Sequence, residues 1–154
     1  MRMAETLERH LQRAHCDYKL VEHEPSATSL EAARKAHIPA ARMAKSVILD
    51  DRRGHYLMAV LPANRKLDLD KVRKGSQRWQ LSGEHNLVGL FKDCQRGAVP
   101  ALGALYGLDM LIDPQLARLA DVYLEAGDHE NLVHMSMDDF FNLAPNAEVC
   151  ELCH

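Results

Sequence analysis

Long hydrophobic runs are missing from this chain. No stretch approaches the ~18 consecutive apolar residues of a membrane-spanning helix. Residues 1–16, MRMAETLERHLQRAHC, are charged and amphipathic and lack the apolar centre of a secretory signal. A cytoplasmic protein with no membrane partner is therefore expected. The usual nucleophile and nucleotide signatures are missing too: there is no G-x-S-x-G elbow, no Walker A loop and no G-x-G-x-x-G. Nine histidines raise the question of a metal, but no H-E-x-x-H and no paired C-x-x-C sets occur, so no metal or other cofactor is expected. The four cysteines, Cys16, Cys94, Cys150 and Cys153, are scattered rather than framed for disulfides, which predicts thiols. Cys150-Glu151-Leu152-Cys153-His154 matches the c-type haem attachment string. It has no export signal and no following chain to wrap a haem. Residues 145–154 therefore read as a short disordered tail with occasional metal or disulfide chemistry. Repeats, low-complexity segments and linkers are also absent, and 154 residues fit one domain with a single core.

Charge is present but unevenly spread. The chain carries −3 overall, yet Arg42 to Arg78 holds ten Lys/Arg against four Asp/Glu, a local +6. Such a protein is a poor general binder of nucleic acid, and DNA is not an expected partner. It can still hold a few phosphates locally. The plainer reading is a solvated charged face.

The apolar pattern gives the elements. Residues 4–15 space Leu7, Leu11 and Ala14 as one face of a helix. Tyr18 to Glu22 alternates as a short strand, and Thr28-x-x-Glu31 forms a possible capping box for a helix over Ser29 to Ala36. Ser46–Leu49 and Tyr56–Leu61 are rich in strand formers, with Asp50-Asp51-Arg52-Arg53-Gly54 as the turn between them. Both runs are apolar at nearly every position, as in strands covered on both faces, so this hairpin should be central. Further along, Asp68 is placed to cap a helix over Leu69 to Lys74 and Ser82 to cap one running to Leu90. Residues 92–103 read as an ordered loop. Strands are expected at Leu108–Ile112, Val122–Ala126 and Leu132–Met135, and a last helix starts at Ser136. Helices and strands mix without a βαβ rhythm, which predicts an α+β fold.

Two features can carry chemistry. Lys45, at the mouth of the hairpin, is ordinarily a solvated strand end, but at a cleft edge it can hold a phosphate as a point charge. The loop from Gly97 to Gly103 reads as a surface turn, yet a glycine N–H in a loop stiffened by Pro100 can also donate to a developing oxyanion. His129, in the turn after Gly127-Asp128, suits a cleft better than a core.

The order of segments is more specific. AKSVIL at 44–49, AVLPANRKLD at 59–68, GAVP at 97–100 and VYLEAGDH at 122–129 together resemble the YbaK-type family, free-standing relatives of the editing domain inserted in bacterial prolyl-tRNA synthetase. The resemblance covers roughly residues 20–143. It implies a curved, mixed, barrel-like sheet flanked by helices. It also implies deacylation of aminoacyl-tRNA carrying a wrong small amino acid, with tRNA for proline a candidate and a synthetase a possible docking partner. On the same footing, Lys45 holds the phosphate of the terminal adenosine, and Gly97, Ala98 and Pro100 form the loop whose N–H groups face the ester carbonyl. Ser46, Leu102, Gly103, Gly127 and His129 border the substrate. Many relatives read Pro-Pro-Phe-Gly where this chain has Pro100-Ala101-Leu102-Gly103, a difference that bears on the choice of amino acid. A module of the same fold that binds a nucleotide or tRNA 3′ end without catalysis is the alternative.

Overall fold

The computed structural model describes residues 2–154. The chain runs α1 (Glu5–Arg13), β1 (Lys19–Glu22), α2 (Ser29–Lys35), β2 (Met43–Asp50), β3 (Tyr56–Pro62), β4 (Gln80–Leu81), α3 (Glu84–Leu90), β5 (Asp109–Ile112), α4 (Pro114–Ala117), β6 (Asp121–Glu125), β7 (Asn131–Ser136), α5 (Met137–Leu143) and β8 (Glu148–Val149). The eight strands form one mixed sheet in the order β1-β7-β6-β2-β3-β5-β8, with β4 added to β2. The architecture is the expected α+β one. The sheet stays open, with β1 and β8 at its ends. No helix among the described residues is long and apolar enough to cross a membrane.

The β2–β3 hairpin lies at the centre. Seven residue pairs hold it antiparallel, from Ala44↔Pro62 to Asp50↔Tyr56. Its apolar runs are buried because both faces are covered. On one face Ala44, Ile48, Met58 and Val60 pack with Leu7 and Leu11 of α1 and Phe140 of α5. On the other, Leu49, Leu57 and Ala59 pack with Leu152 of the C-terminal segment. Met43 and Leu132 on that face meet Ala32 and Ala33 of α2.

Local chemistry starts the helices where the hydroxyls allow. Thr28 Oγ1 accepts from the Glu31 N–H and Ser136 Oγ from the Asp139 N–H, both at 3.1 Å. Ser82 does not do the same for α3, whose first turn follows Gly83 with no side-chain cap. The helix expected after Asp68 is a single 3-10 turn, Leu69–Lys71.

The C-terminal segment departs furthest from expectation. It is ordered and packed. β8 pairs parallel to β5. Leu152 is fully buried, its N–H donating to Asp113 Oδ2 at 2.9 Å. The Asp68 N–H donates to the Leu152 carbonyl at 2.7 Å, and Lys71 Nζ to the Cys153 carbonyl at 2.7 Å. The apolar Leu152, bracketed by two cysteines, is what anchors it. Leu152→Ala is expected to lower the unfolding free energy by about 2–4 kcal/mol, the cost of a buried leucine and its cavity. Urea denaturation checks this, and an unchanged midpoint would show the segment to be an appendage.

Candidate active site

The site begins where two neighbouring strands part. β2 and β6 run parallel but pair at two positions, Met43↔Tyr123 and Ala44↔Leu124. The next step in register would bring Lys45 beside Glu125, and there the ladder stops. Because side chains alternate across a strand, Lys45 and Glu125 share the face of Met43 and Tyr123, both in the cluster beneath α2. A cation and an acid thus stand where the two strands part, Lys45 half-buried and Glu125 sealed, with no ion pair between them.

The loop before Pro100 spans this opening. The Gln95 N–H donates to the Gly127 carbonyl at 2.8 Å on the β6–β7 turn. Ser46 Oγ donates to the Val99 carbonyl at 3.2 Å on the β2 side. His129 ties its ring to the same loop, Nε2 to the Arg96 carbonyl. Gly97 sits at φ +80°, and a Cβ there would lie 2.8 Å from the Ala27 carbonyl oxygen. The backbone therefore needs glycine at this position, both for its conformation and for the close approach of the chain before α2.

Some expected site residues meet here and others do not. Among the described residues the Gly97 N–H finds no hydrogen-bond partner, which makes it a candidate donor for a ligand. The Ala98 N–H is not, because it closes a turn onto the Gln95 carbonyl at 3.1 Å. This removes Ala98 from the donor role. Ser46 positions the loop from the face opposite to Lys45. Leu102 is fully buried in the core with Met58 and Met110. Gly103 is buried as well, and a Cβ on it would lie 3.1 Å from Met58 Cβ. Neither residue is open to substrate, since both have turned into the core behind Pro100, itself buried. Gly127, at φ +99°, makes room for Ala4, whose Cβ an added methyl would meet at 2.7 Å. Its part is to support the loop.

Lys45 is half-buried. Burial holds its ammonium below the ordinary lysine value, Cys153 nearby acts the other way, and Lys66 lowers it again. Its electrostatic neighbours are thus a second cation and a thiol, and no carboxylate offsets its charge. Burial, followed by the hydrogen bond to Asp113, pushes the Cys153 thiol up to about 11. Burial pushes the Cys94 thiol up to about 12. Neither thiol is primed as a nucleophile.

Sequence reasoning passed over two acids. Asp128 is 1% exposed and builds the turn that aims His129: its Oδ1 accepts from the N–H groups of Glu130 (3.0 Å) and Asn131 (2.9 Å), and its Oδ2 from Asn131 Nδ2 (2.5 Å). His129 is held at φ 63°, unusual for a residue with a side chain. Glu125 is also 1% exposed, with one hydrogen bond, from Ser29 Oγ at 3.2 Å. Burial raises its carboxyl to about 7, the serine lowers it, and Asp128 raises it further. The available signal was a lone charge in the otherwise apolar strand VYLEA. The folded protein keeps a proton on Glu125 that the unfolded chain releases, so this group's contribution is full below the ordinary carboxylate range and is lost as pH rises towards 7. Glu125→Gln should therefore gain stability relative to wild type as pH rises from about 4.5 to about 7.5, by on the order of 2–3 kcal/mol. Paired denaturation curves across that range test this, and a constant difference would contradict it.

The fold is shared with known proteins. A search of curated proteins finds no match. Among solved structures, hypothetical protein APE2540 is 18% identical with a TM-score of 0.84, over 97% of this chain and all of that one. A proposed trans-editing enzyme for prolyl tRNA synthetase is 22% identical with a TM-score of 0.82, over 98% of this chain and 96% of that one. A protein from Marinobacter aquaeolei VT8 named for signal transduction is 20% identical with a TM-score of 0.77, and this chain matches 31% of its length. At these identities the likeness is one of fold. The family match goes further: residues 23–143, which include β2, the Gly97 loop and the β6–β7 turn, match the aminoacyl-tRNA editing domain. The chain belongs to the aminoacyl-tRNA editing domain family.

Proposed function

We propose that the protein hydrolyses the ester bond of mischarged aminoacyl-tRNA in trans, with a small amino acid as the group removed and tRNA for proline among the candidate carriers. The observation that carries this reading is the opening between β2 and β6, which has Lys45 on one edge and the unbonded Gly97 N–H in the loop spanning it. A half-buried ammonium with no carboxylate partner suits a phosphate of the terminal adenosine. A free backbone donor in a braced loop suits the carbonyl oxygen of an ester as it gains charge, a contact worth about 3 kcal/mol.

In this mechanism no protein nucleophile is used, in keeping with two thiols held protonated by burial. Water adds to the ester carbonyl, its proton passing to a ribose hydroxyl of the substrate, which gives its own proton to the departing ester oxygen. The oxyanion rests on Gly97 N–H, and collapse releases the amino acid and the tRNA 3′ hydroxyl. Pro100 and Ser46 fix the loop so that this donor need not reorganise. The basic segment from Arg42 to Arg78 contributes less surface than its charge count suggests. Arg42 pairs with Asp121, Lys74 pairs with Glu148, and Arg65 and Lys71 hold the C-terminal segment. Lys45, Arg52, Arg53, Lys66, Arg73 and Arg78 form no ion pair with an acidic side chain among the described residues; of these Lys45 and Lys66, electrostatic neighbours, are assigned to the acceptor end, and a synthetase can present the substrate.

A panel of tRNAs charged with small amino acids tests this directly. Wild type should release at least one amino acid, and Lys45→Ala should lower kcat/KM by roughly 10–100-fold, the weight of a charge-assisted contact. Absence of turnover across the panel would refute the reading. Salt-dependent tRNA binding without turnover would favour a non-catalytic module of the same fold.

A further inference from the structure

Buried polar atoms without partners are few in folded proteins, and each one calls for an explanation. Among the described residues four side-chain atoms qualify: His23 Nε2, Ser26 Oγ, Glu125 Oε1 and His129 Nδ1. They are not scattered. All four belong to two segments that run side by side, 23–26 and 125–129, tied by the His23 N–H to the Glu130 carbonyl (2.9 Å) and the Ser26 N–H to the His129 carbonyl (3.3 Å).

Their chemistry is of one kind. His129 Nε2 faces the Arg96 carbonyl, which can only accept, so Nε2 donates, and in the neutral ring Nδ1 is then a lone pair. The same reasoning applies to His23, whose Nδ1 meets the Glu24 carbonyl at 2.7 Å and whose Nε2 is then an acceptor. Glu125 Oε1 is a carboxyl oxygen that accepts once the group is ionised, and Ser26 Oγ offers lone pairs beside its O–H. Each of the four has an unused lone pair, and among the described residues no donor reaches any of them. The charge is also one-sided: the ionised neighbour that perturbs Glu125 is Asp128, and among the described residues no Lys or Arg pairs with either acid. What this place lacks is a cation bearing several N–H bonds.

An aminoacyl ester at the 3′ end of tRNA has one such group, its α-ammonium, with three N–H donors. It also has an anion at the other end of the terminal nucleotide. The opening between β2 and β6 has the matching polarity, Lys45 on one edge and Glu125 on the other, with Gly97 between the elements that carry them. We infer that Glu125, together with Ser26 and His129, accepts the α-ammonium of the substrate, so that the protein selects esters of amino acids with a free amine. This rests on the hydrolase reading above and assigns that site a binding residue outside the family resemblance. His129 is the member of the trio that is not fully buried, and the ammonium reaches the other two from its side.

The test compares aminoacyl-tRNA with its N-acetyl form, in which the amine is neutral and has lost its charge-assisted bonds. Wild type should prefer the free amine by tenfold or more in kcat/KM, and Glu125→Gln, which keeps shape and the Ser29 contact, should abolish most of that preference. An equal rate on both substrates for wild type, or an intact preference in Glu125→Gln, overturns the inference. A uniform loss on both substrates with the preference retained also overturns it, since it would mark Glu125 as a support or a base. If wild type turns over neither substrate, the hydrolase reading fails, and calorimetry with 3′-aminoacylamido-3′-deoxyadenosine decides the contact. Tighter binding of the free amine than of its N-acetyl form, lost in Glu125→Gln, upholds it. Equal binding refutes it. The predicted stability gain of Glu125→Gln at neutral pH separates lost selectivity from misfolding.

Discussion

The structure depends on a ladder that stops after two pairs. Had β2 and β6 continued together beyond Ala44↔Leu124, Lys45 and Glu125 would be neighbours on one face and would neutralise each other. Parting leaves the two charges apart and leaves backbone groups on both strands in need of partners. The protein meets that need with a loop rather than a strand. The Val99 carbonyl takes the Ser46 hydroxyl, the Gly127 carbonyl takes the Gln95 N–H, and the Ala126 carbonyl takes the Ala4 N–H. Further along, β4 re-covers the β2 edge at Leu49 and Asp50. The opening is bounded at both ends, which is how a gap in a sheet can persist without unzipping it.

The two faces of the sheet divide the labour. Helices α1 and α5 close one face over the larger core. The other is covered in two patches, by α2 at Met43 and by the C-terminal segment at Leu49. Lys45 lies between those patches, which is why it is half-buried rather than solvated or sealed. The C-terminal segment therefore bears on the site. Cys153 touches the electrostatics of Lys45, and the segment is fixed by Lys71, by Arg65 through the His154 carbonyl at 3.1 Å, and by Asp113.

Much of this fold can be read from residue order. Unbroken apolar runs around Asp50–Gly54 predict a covered central hairpin, and Thr28 and Ser136 predict helix starts, because both signals are local. The errors arise where a distant partner decides the outcome. Ser82 has the right chemistry for a cap, but its N–H donates to the Ile48 carbonyl, which fixes it as sheet edge and moves the helix start past Gly83. The tail looked unpatterned because its anchor is a single leucine. Lys45, Gly97 and His129, on which the proposed site is built, stand in the motifs of the sequence. The roles of Ala98, Leu102 and Gly103 were not visible there, since membership of a loop does not say which N–H is already bonded or which side chain has turned inward. Helix α4 could have been found, because Asp113-Pro114 is a capping residue followed by the one residue that suits the first helical position.

Glu125 shows why a site can be built at a cost to its own fold. A buried carboxylate with a single long hydrogen bond and a second acid nearby is unfavourable in the free protein, and a neutral side chain of the same shape would suit the interior better. Asp128 could have been the same burden but is not: three N–H donors saturate it, and its charge goes into shaping a turn. The contrast between two acids three residues apart, one fully bonded and one left wanting, separates scaffold from site. Among the described residues, buried polar side-chain atoms without a partner fall only in segments 23–26 and 125–129, beside the point where β2, which carries Lys45, leaves β6. The substrate proposed above, with opposite charges at its two ends, would satisfy both.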